Sequence, residues 1–443
     1  MAQTASDVRK TLKEENIRFL RLVFSDIHGV VKNVEVPDSQ FDKAINGDIM
    51  FDGSSIEGFV RIQESDMELK PDFNSLRIFP DDGDEGRVAL VVCDVYTPDG
   101  NPFPGDPRNA LRRAVDTAKD QGYTANFGPE AEFFLFERNP DGTPTTITHD
   151  RGAYFDLAPV DLGEVARREI VNTLEQMGFE VEAAHHEVAP GQHEIDFKYA
   201  DGLTTADNIL VFKHVVKTVA LHYNLHATFM PKPLYGENGS GMHVHQSLSK
   251  LGESNAFFDE NAEYKLSSVA RSYIAGVLRH AKAICAVTNP TVNSFKRLVP
   301  GFEAPTNIAW SEKNRSPMIR VPASRGEGTR IEVRMPDPSC NPYLAFAVML
   351  QAGLDGVSQS LESGPPVAKD MFTMSDRERK RLKIDKLPGN LGDAVVALEK
   401  DSFICEALGE HVSTHFLESK RREWQDYISM VHPWEVERYI SMY

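Results

Sequence analysis

Several short apolar stretches of the chain carry carboxylates, histidines or arginines two residues apart, the spacing that puts side chains on one face of a strand. In Gly128-Pro129-Glu130-Ala131-Glu132-Phe133-Phe134-Leu135-Phe136, Glu130 and Glu132 point the same way out of an otherwise dry segment. Two neighbouring carboxylates repel each other and lose hydration unless a cation holds them. A half-exposed strand with solvated glutamates gives the same pattern. The segment Glu182 to Phe197 reads as strand, Pro190-Gly191 turn, strand. Ile195 and Phe197 share its dry face, Glu194 and Asp196 the opposite one, and Glu187 sits across the turn. The adjacent His185 and His186 stay unassigned, because a histidine in this setting is more often a satisfied core or turn residue than a ligand.

Two further stretches follow the same rule. Asn238-Gly239-Ser240-Gly241 leads into a strand with His243, His245 and Ser247 on one face, and its glycines permit close backbone approach to a ligand. In Thr329-Arg330-Ile331-Glu332-Val333-Arg334, Glu332 lies between two arginines while Ile331 and Val333 pack; a salt-bridged edge strand would look alike. Together five glutamates and one histidine on these strand faces form an oxygen-rich donor set with a single imidazole, which suits Mg²⁺ or Mn²⁺ better than zinc. Two such ions sharing six protein ligands leave positions for phosphate and water. The loops Lys296 to Pro305 and Asn314 to Arg320 carry arginines suited to forked recognition of carboxylate or phosphate. There is no GxxxxGK[ST] stretch, so nucleotide phosphates would be held by metal and arginine.

The elements that must position these residues are legible from their ends. A short helix over about Ser6 to Glu15 precedes β-rich segments Ile17 to Phe24 and Val30 to Val36, joined by the turn signal Ser25-Asp26-Ile27-His28-Gly29. Val88 to Tyr96 reads as another strand, and the Pro/Gly-rich Thr97 to Gly105 marks a boundary. Beyond it, Asp106-Pro107 opens a helix, Asp161 with Glu164 forms a capping box, and Asn341-Pro342 opens a helix running to Leu361. Asp207 to His222 and Ser268 to Val287 read as further helices, with strands between. The fold class is α+β.

Composition narrows the function. The 443 residues are 41% hydrophobic and 26% charged, an ordinary globular balance for two or three cores. Lys plus Arg at 48 against Asp plus Glu at 66 gives −18, which argues against a nucleic-acid surface. No apolar run is long enough to span a membrane, and the start of the chain lacks a signal pattern, so a cytoplasmic location is expected. Cys93, Cys285, Cys340 and Cys405 have no metal-binding or disulfide spacing and read as reduced thiols.

These stretches resemble the glutamine synthetase family, bacterial type I, over nearly the whole chain. Phe51-Asp52-Gly53-Ser54-Ser55 followed by Glu64-Ser65-Asp66 resembles the family's N-terminal signature. Lys232-Pro233 through Asn238-Gly239-Ser240-Gly241-Met242-His243 to Ser247 resembles its ATP-region signature. The resemblance implies an N-terminal β-grasp domain over residues 1–104 and a catalytic domain over 105–443, built on a curved antiparallel sheet flanked by helices. It also implies a dodecamer of two stacked hexamers. By motif position, Glu132, Glu187 and Glu194 would hold one divalent ion and Glu130, His243 and Glu332 the other. Asn238, Gly239, Arg297, Arg315 and Arg334 would bind L-glutamate. Glu182, Tyr199, His245, Ser247, Arg315 and Arg320 would bind ATP, with Tyr199 stacked on adenine. Ammonium would sit beside Asp52, Tyr154 and Glu187, with Asp52 expected from a neighbouring subunit as the proton acceptor. Glu303, on a mobile loop, would close the site, and Arg315 would serve the reacting phosphates.

The regulatory expectations also come from the resemblance. Phe372 stands where the adenylylated subclass carries a modified tyrosine, and without a hydroxyl that modification cannot occur; Glu327 replaces a lysine of that subclass near the phosphates. The chain resembles the α subclass of low-GC Gram-positive bacteria, in which glutamine feeds back directly. Arg61 would contribute to that inhibition, against the alternative of a solvated surface arginine. Binding of a nitrogen-responsive transcription repressor through the C-terminal segment is a further expectation of the subclass. The competing readings are a paralogue that amidates glutamate with a polyamine or other amine, a catalytically silent relative, and a di-metal hydrolase. The intact Asp52, Ser54, Ser55 and Tyr154 favour a small ammonium site. The filled ligand set speaks against a silent relative, and the arginine and glycine loops speak against a hydrolase.

Overall fold

Asp26 closes the first turn: its Oδ1 accepts from the N–H groups of His28 and Val30, each at 2.9 Å, while Gly29 takes a φ of +78°. Across this turn the strands Ile17–Ser25 and Val31–Pro37 pair antiparallel, and Arg87–Tyr96 joins Ile17–Ser25 in parallel. Asp66–Pro71 and then Ile49–Asp52 extend the sheet on the other side of Arg87–Tyr96. With Arg77–Ile78 this makes six strands, and Asp52 ends the edge strand. The helix Ala5–Glu14 begins with a capping box between Thr4 and Asp7 and buries Val8 and Leu12, one turn apart, in the core. The computed structural model describes residues 3–58, 66–80, 86–251, 254–312, 314–369, 371 and 374–443.

The larger part is built around an eleven-stranded sheet. Among the described residues eight of its strands follow the order Leu225–Thr228, Phe133–Arg138, Gln192–Phe197, Tyr123–Ala131, Met242–Lys250, Ile331–Val333, Ile319–Arg320, Trp310–Ser311, while Val181–His186 pairs with Gln192–Phe197, Ala200–Asp201 with Tyr123–Ala131 and Pro144–Thr148 with Phe133–Arg138. The sheet departs from the expected all-antiparallel form at its edge, where Trp310–Ser311 runs parallel to Ile319–Arg320. Two apolar helices back it. Gly202–His222 is capped by Asp201, and Pro342–Ser358 is capped by Asn341 with proline in its first turn.

Three helix expectations need correction. The helix expected from Asp161 begins at Glu164: the Asp161 carboxylate pairs with Arg167 (2.7 Å) and accepts from the Gly163 N–H (2.9 Å), one residue ahead of the helix. The helix expected from Asp207 begins five residues earlier. Ser268 to Val287 is two helices, Ser268–Arg279 and Ala281–Thr288, broken at His280, whose ring faces Asp401 (2.6 Å) and Asp355 (3.2 Å).

The two parts are joined by a buried charge cluster. Arg108, 2% exposed, reaches Asp72 and Asp94 of the N-terminal sheet region and Asp207 of the Gly202–His222 helix at 2.6–2.9 Å. Removing such a cation would leave the buried Asp207 carboxylate without its counter-charge, so it fixes how the parts meet. Cys93, Cys285 and Cys340 are buried and Cys405 half-buried, all unbridged. Among the described residues no helix is long and apolar enough to cross a membrane.

Candidate active site

Strand register assembles the site. His243 lies opposite Glu130, Glu332 opposite His245, and Asp196 opposite Glu130 on its other side. Along Met242–Lys250 buried and half-buried residues alternate, with His243, His245 and Ser247 on the more open face, as period two requires. One ligand atom from each of Glu130, His243 and Glu332 lies within 4.8 Å of the others. Of the expected second set, Glu187 and Glu194 group with His185, whose Nε2 is 3.2 Å from Glu194 and whose Nδ1 is 3.5 Å from Glu187. The hairpin register sets this, since His185 pairs directly with Glu194. Glu132 stands beside them in one small cavity with Glu187, His243, Arg297, Glu303 and Arg334.

Glu132 is oriented by a residue the sequence pattern does not flag. Its Oε2 accepts from Gln192 Nε2 and from the Gly241 N–H, each at 2.9 Å. Gln192 also reaches Gly239 O at 3.2 Å, tying the glycine loop to the carboxylate. The only sequence signal for Gln192 is a polar residue at the start of a dry strand.

The carboxylates divide into two electrostatic classes. Burial pushes Glu130 and Glu332 up, but their imidazole and arginine neighbours outweigh it and hold both below the usual carboxylate range. His245 Nε2 meets Glu130 Oε1 at 2.7 Å, and Arg330 Nε donates to His245 Nδ1 at 3.1 Å, so the proton of that ring sits on Nε2. Glu332 is flanked by Arg334 and Arg320 rather than by Arg334 and Arg330, because Arg320 lies opposite it in the sheet. Glu132, Glu187 and Glu194 behave oppositely. Burial raises all three; mutual repulsion adds to this at Glu187, which reaches about 9, and at Glu194. Such a crowded oxygen set fits a divalent cation, which would replace the protons.

A third cluster, His149, Asp150, Asp161 and His193, is compact enough for an ion but is chemically occupied. Arg167 donates to His193 Nδ1 at 2.9 Å and to Asp161 at 2.7 Å. A guanidinium only donates, so neutral His193 carries its proton on Nε2 and offers no lone pair there. Asp150 accepts from the N–H of Gly191 (2.9 Å) and faces His186 Nε2 (3.2 Å), making this cluster a polar support under the Glu187 hairpin.

A cavity of about 490 Å³ adjoins the first triad and is lined by Glu130, Glu182, Asp196, Tyr199, His245 and Ser247 among others. Four residues expected at the nucleotide therefore share one pocket. Glu327 lies on its rim, where Asn255 Nδ2 holds the Glu327 and Thr329 carbonyls at 2.9 and 2.7 Å. Asp196 is a further carboxylate here that the expected ligand set omits; burial and the charge of Glu130 push it to about 7.

Other expected residues are placed less centrally. Arg297 is buried, and its guanidinium donates to the carbonyls of Met335, Pro336 and Arg334 at 2.8–3.2 Å, so much of its capacity serves the backbone. Arg315 is exposed, and its carbonyl accepts from Arg334. Tyr154 is half-exposed beside Phe155 and His185. Asn238 and Gly239 line the small cavity. Asp52 is exposed at the end of its edge strand and joins neither cation cluster within this chain. Arg61, Phe372, Glu64 and Ser65 lie outside the described residues.

Known proteins match this arrangement. Residues 16–98 fit the family model of the glutamine synthetase β-grasp domain, and residues 104–439 that of the glutamine synthetase catalytic domain. The chain is 63% identical over 447 aligned positions to a glutamine synthetase of Thermus thermophilus, covering 100% of both. It is 56% identical to that of Clostridium saccharobutylicum, covering 99% of both. A solved structure of a GmaS–ADP complex, 33% identical, superposes with a TM-score of 0.89 over 100% of both chains. Both sheets and the whole length of the chain are thus accounted for by one lineage, and the chain belongs to the glutamine synthetase family.

Proposed function

We propose that this chain joins ammonia to L-glutamate at the expense of ATP, giving L-glutamine, ADP and phosphate through γ-glutamyl phosphate. The observation that carries this is the double position of Glu130, which belongs to the triad with His243 and Glu332 and also lines the nucleotide cavity. This double position supports a reading in which a cation ligand lies at the end of a bound triphosphate.

A carboxylate is a poor acyl donor. One γ-carboxylate oxygen of glutamate attacks the γ-phosphorus of ATP, the bond to the bridging oxygen breaks, and ADP leaves. Two divalent cations, Mg²⁺ or Mn²⁺, held by Glu132, Glu187 and Glu194 with His185 alongside, and by Glu130, His243 and Glu332, would neutralise charge on both anions. Asn238, Gly239, Arg297 and Arg334 hold the glutamate; Glu182, Tyr199, His245 and Ser247 hold the nucleotide, with Tyr199 against adenine. Arg315 and Arg320 face the phosphates and stabilise charge as it shifts. Ammonium binds beside Tyr154 and Glu187, and Asp52 of a neighbouring copy takes its proton. Ammonia then attacks the γ-carbon, the bond from that carbon to the phosphate oxygen breaks, and the surplus proton on nitrogen leaves with the phosphate. Glu303 closes the site against water, which would otherwise return the acyl phosphate to glutamate.

The same reading includes a dodecamer of two stacked hexamers and a cytoplasmic location. Assembly is supported by the exposed apolar side chains of Met430, Val431, Trp434 and Ile440 near the C-terminus, a surface that water disfavours. It is supported also by Asp52 falling in neither carboxylate–histidine group among the described residues of its own chain. A division between residues 104 and 105 is supported by Asp106, which caps the first helix beyond it while its Oδ2 accepts from Val95 N–H at 3.0 Å. Feedback by glutamine through Arg61 and contact with a transcription repressor complete the proposal. An amine panel with phosphate release as readout tests the substrate: ammonium should give the highest turnover, and preference for a larger amine would overturn the assignment.

A further inference from the structure

Lys232 begins the glycine-rich segment, and its backbone is clamped from both sides. Its N–H donates to Asn293 Oδ1 at 2.8 Å, and its carbonyl accepts from Asn293 Nδ2 at 3.0 Å. The segment then closes on itself through the Ser240 N–H to Pro231 O bond of 2.8 Å. From this fixed base the Lys232 ammonium touches two loops. Nζ donates to the carbonyl of Glu237, the residue before Asn238 and Gly239. It also stands 3.7 Å from the centre of the Phe302 ring, the residue before Glu303. That separation is van der Waals contact, well inside the range over which an aromatic face attracts a cation.

The loop it touches needs such an anchor. Gly301 has a φ of +96° and Glu303 a φ of +57°, a region that a residue with a β-carbon adopts only when its surroundings impose it. Phe302, Glu303, Asn238 and Gly239 all line the small cavity that holds Glu132 and Glu187. Lys232 therefore bridges the two walls of that cavity, outside the donor set itself.

We infer that Lys232 is a positioning residue that couples the glutamate-binding loop to the closing loop, holding Glu303 over the acyl phosphate through Phe302. The inference rests on the proposed reaction. With the Glu237 carbonyl fixed by an ordered glutamate loop, the ammonium is held against the ring, and Glu303 stays in place while ammonia attacks. When the bridge is cut, the loop opens more often and water competes for the intermediate, releasing phosphate and regenerating glutamate.

The test compares Lys232→Met, Lys232→Arg, Phe302→Leu and the Lys232→Met/Phe302→Leu double variant of the full-length enzyme at saturating glutamate, ATP, Mg²⁺ and ammonium. Phosphate released per glutamine formed is the readout, with thermal unfolding as the folding check. The wild type should stay near one phosphate per glutamine. Lys232→Met and Phe302→Leu should each raise the excess phosphate by about three- to tenfold, the scale of losing one partly desolvated cation–π contact. Lys232→Arg should restore coupling, since a guanidinium also binds an aromatic face. The double variant should be no leakier than the worse single one, as for two ends of one contact. Ratios unchanged in both single variants, or effects that multiply in the double, would overturn the inference. If Lys232→Met does not fold, Phe302→Leu decides the matter, because it removes the ring without touching the glutamate loop. A wild type that forms no glutamine would instead defeat the proposed reaction, so the two failures are distinguishable.

Discussion

Glu130 lies directly across the sheet from His243, and its carboxylate meets His243 Nδ1 at 3.3 Å while its other oxygen meets His245 Nε2 at 2.7 Å. One side chain thus serves two neighbours of different expected duty, a cation ligand and a nucleotide contact. Aligning both on a rigid strand fixes their separation more tightly than loops could.

Glu132 has comparable support from Gln192, which holds its Oε2 at 2.9 Å. Removing the partner of a metal-ligating carboxylate typically costs about 10–100-fold in metal affinity. Gln192→Leu should therefore weaken Mn²⁺ binding by about that factor at the Glu132 site and leave the Glu130 site nearly unchanged, as counted by electron paramagnetic resonance. Equal affinities at both sites in the variant would show that Gln192 merely packs.

The raised carboxyls set a pH dependence. Burial and repulsion from Glu132 push Glu187 to about 9, so near neutral pH its carboxyl retains a proton that a cation must displace. Apparent Mg²⁺ affinity should rise as pH increases toward about 9 and then level off, with proton release largest at the lower end. Calorimetry in two buffers of different ionisation enthalpy measures the released protons directly. Affinity that falls with rising pH, or binding without proton release, would contradict this electrostatic picture.

Much of this site is legible in local sequence, and the remainder is not for a definable reason. Period two places Glu130 with Glu132 and His243 with His245 and Ser247, and Asp106-Pro107 and Asn341-Pro342 announce their helices by their own chemistry. What local pattern leaves open is the partner across the sheet. His185 stands with Glu187 and Glu194 because it pairs with Glu194, and Arg320 rather than Arg330 flanks Glu332 because it lies opposite it. Gln192 acts on Glu132 across 60 residues. In each case a non-local contact outweighs the local preference.

Asp52 and Arg334 provide a test of shared sites. If Asp52 acts in a neighbouring copy, an Asp52→Ala chain supplies an intact Arg334, and an Arg334→Ala chain supplies an intact Asp52. Mixing the two inactive variants and allowing subunit exchange should recover a measurable fraction of wild-type activity through hybrid interfaces. No recovery, with exchange demonstrated by tagged subunits, would argue for sites complete within one chain.

In the proposed reaction glutamate is activated by direct phosphorylation of its γ-carboxylate. Glutamate labelled with heavy oxygen in that carboxylate, incubated with enzyme, ATP, Mg²⁺ and ammonium, tests it most directly by mass spectrometry of the released phosphate. One labelled oxygen should pass to phosphate for each glutamine formed. Unlabelled phosphate accompanying glutamine formation would contradict it.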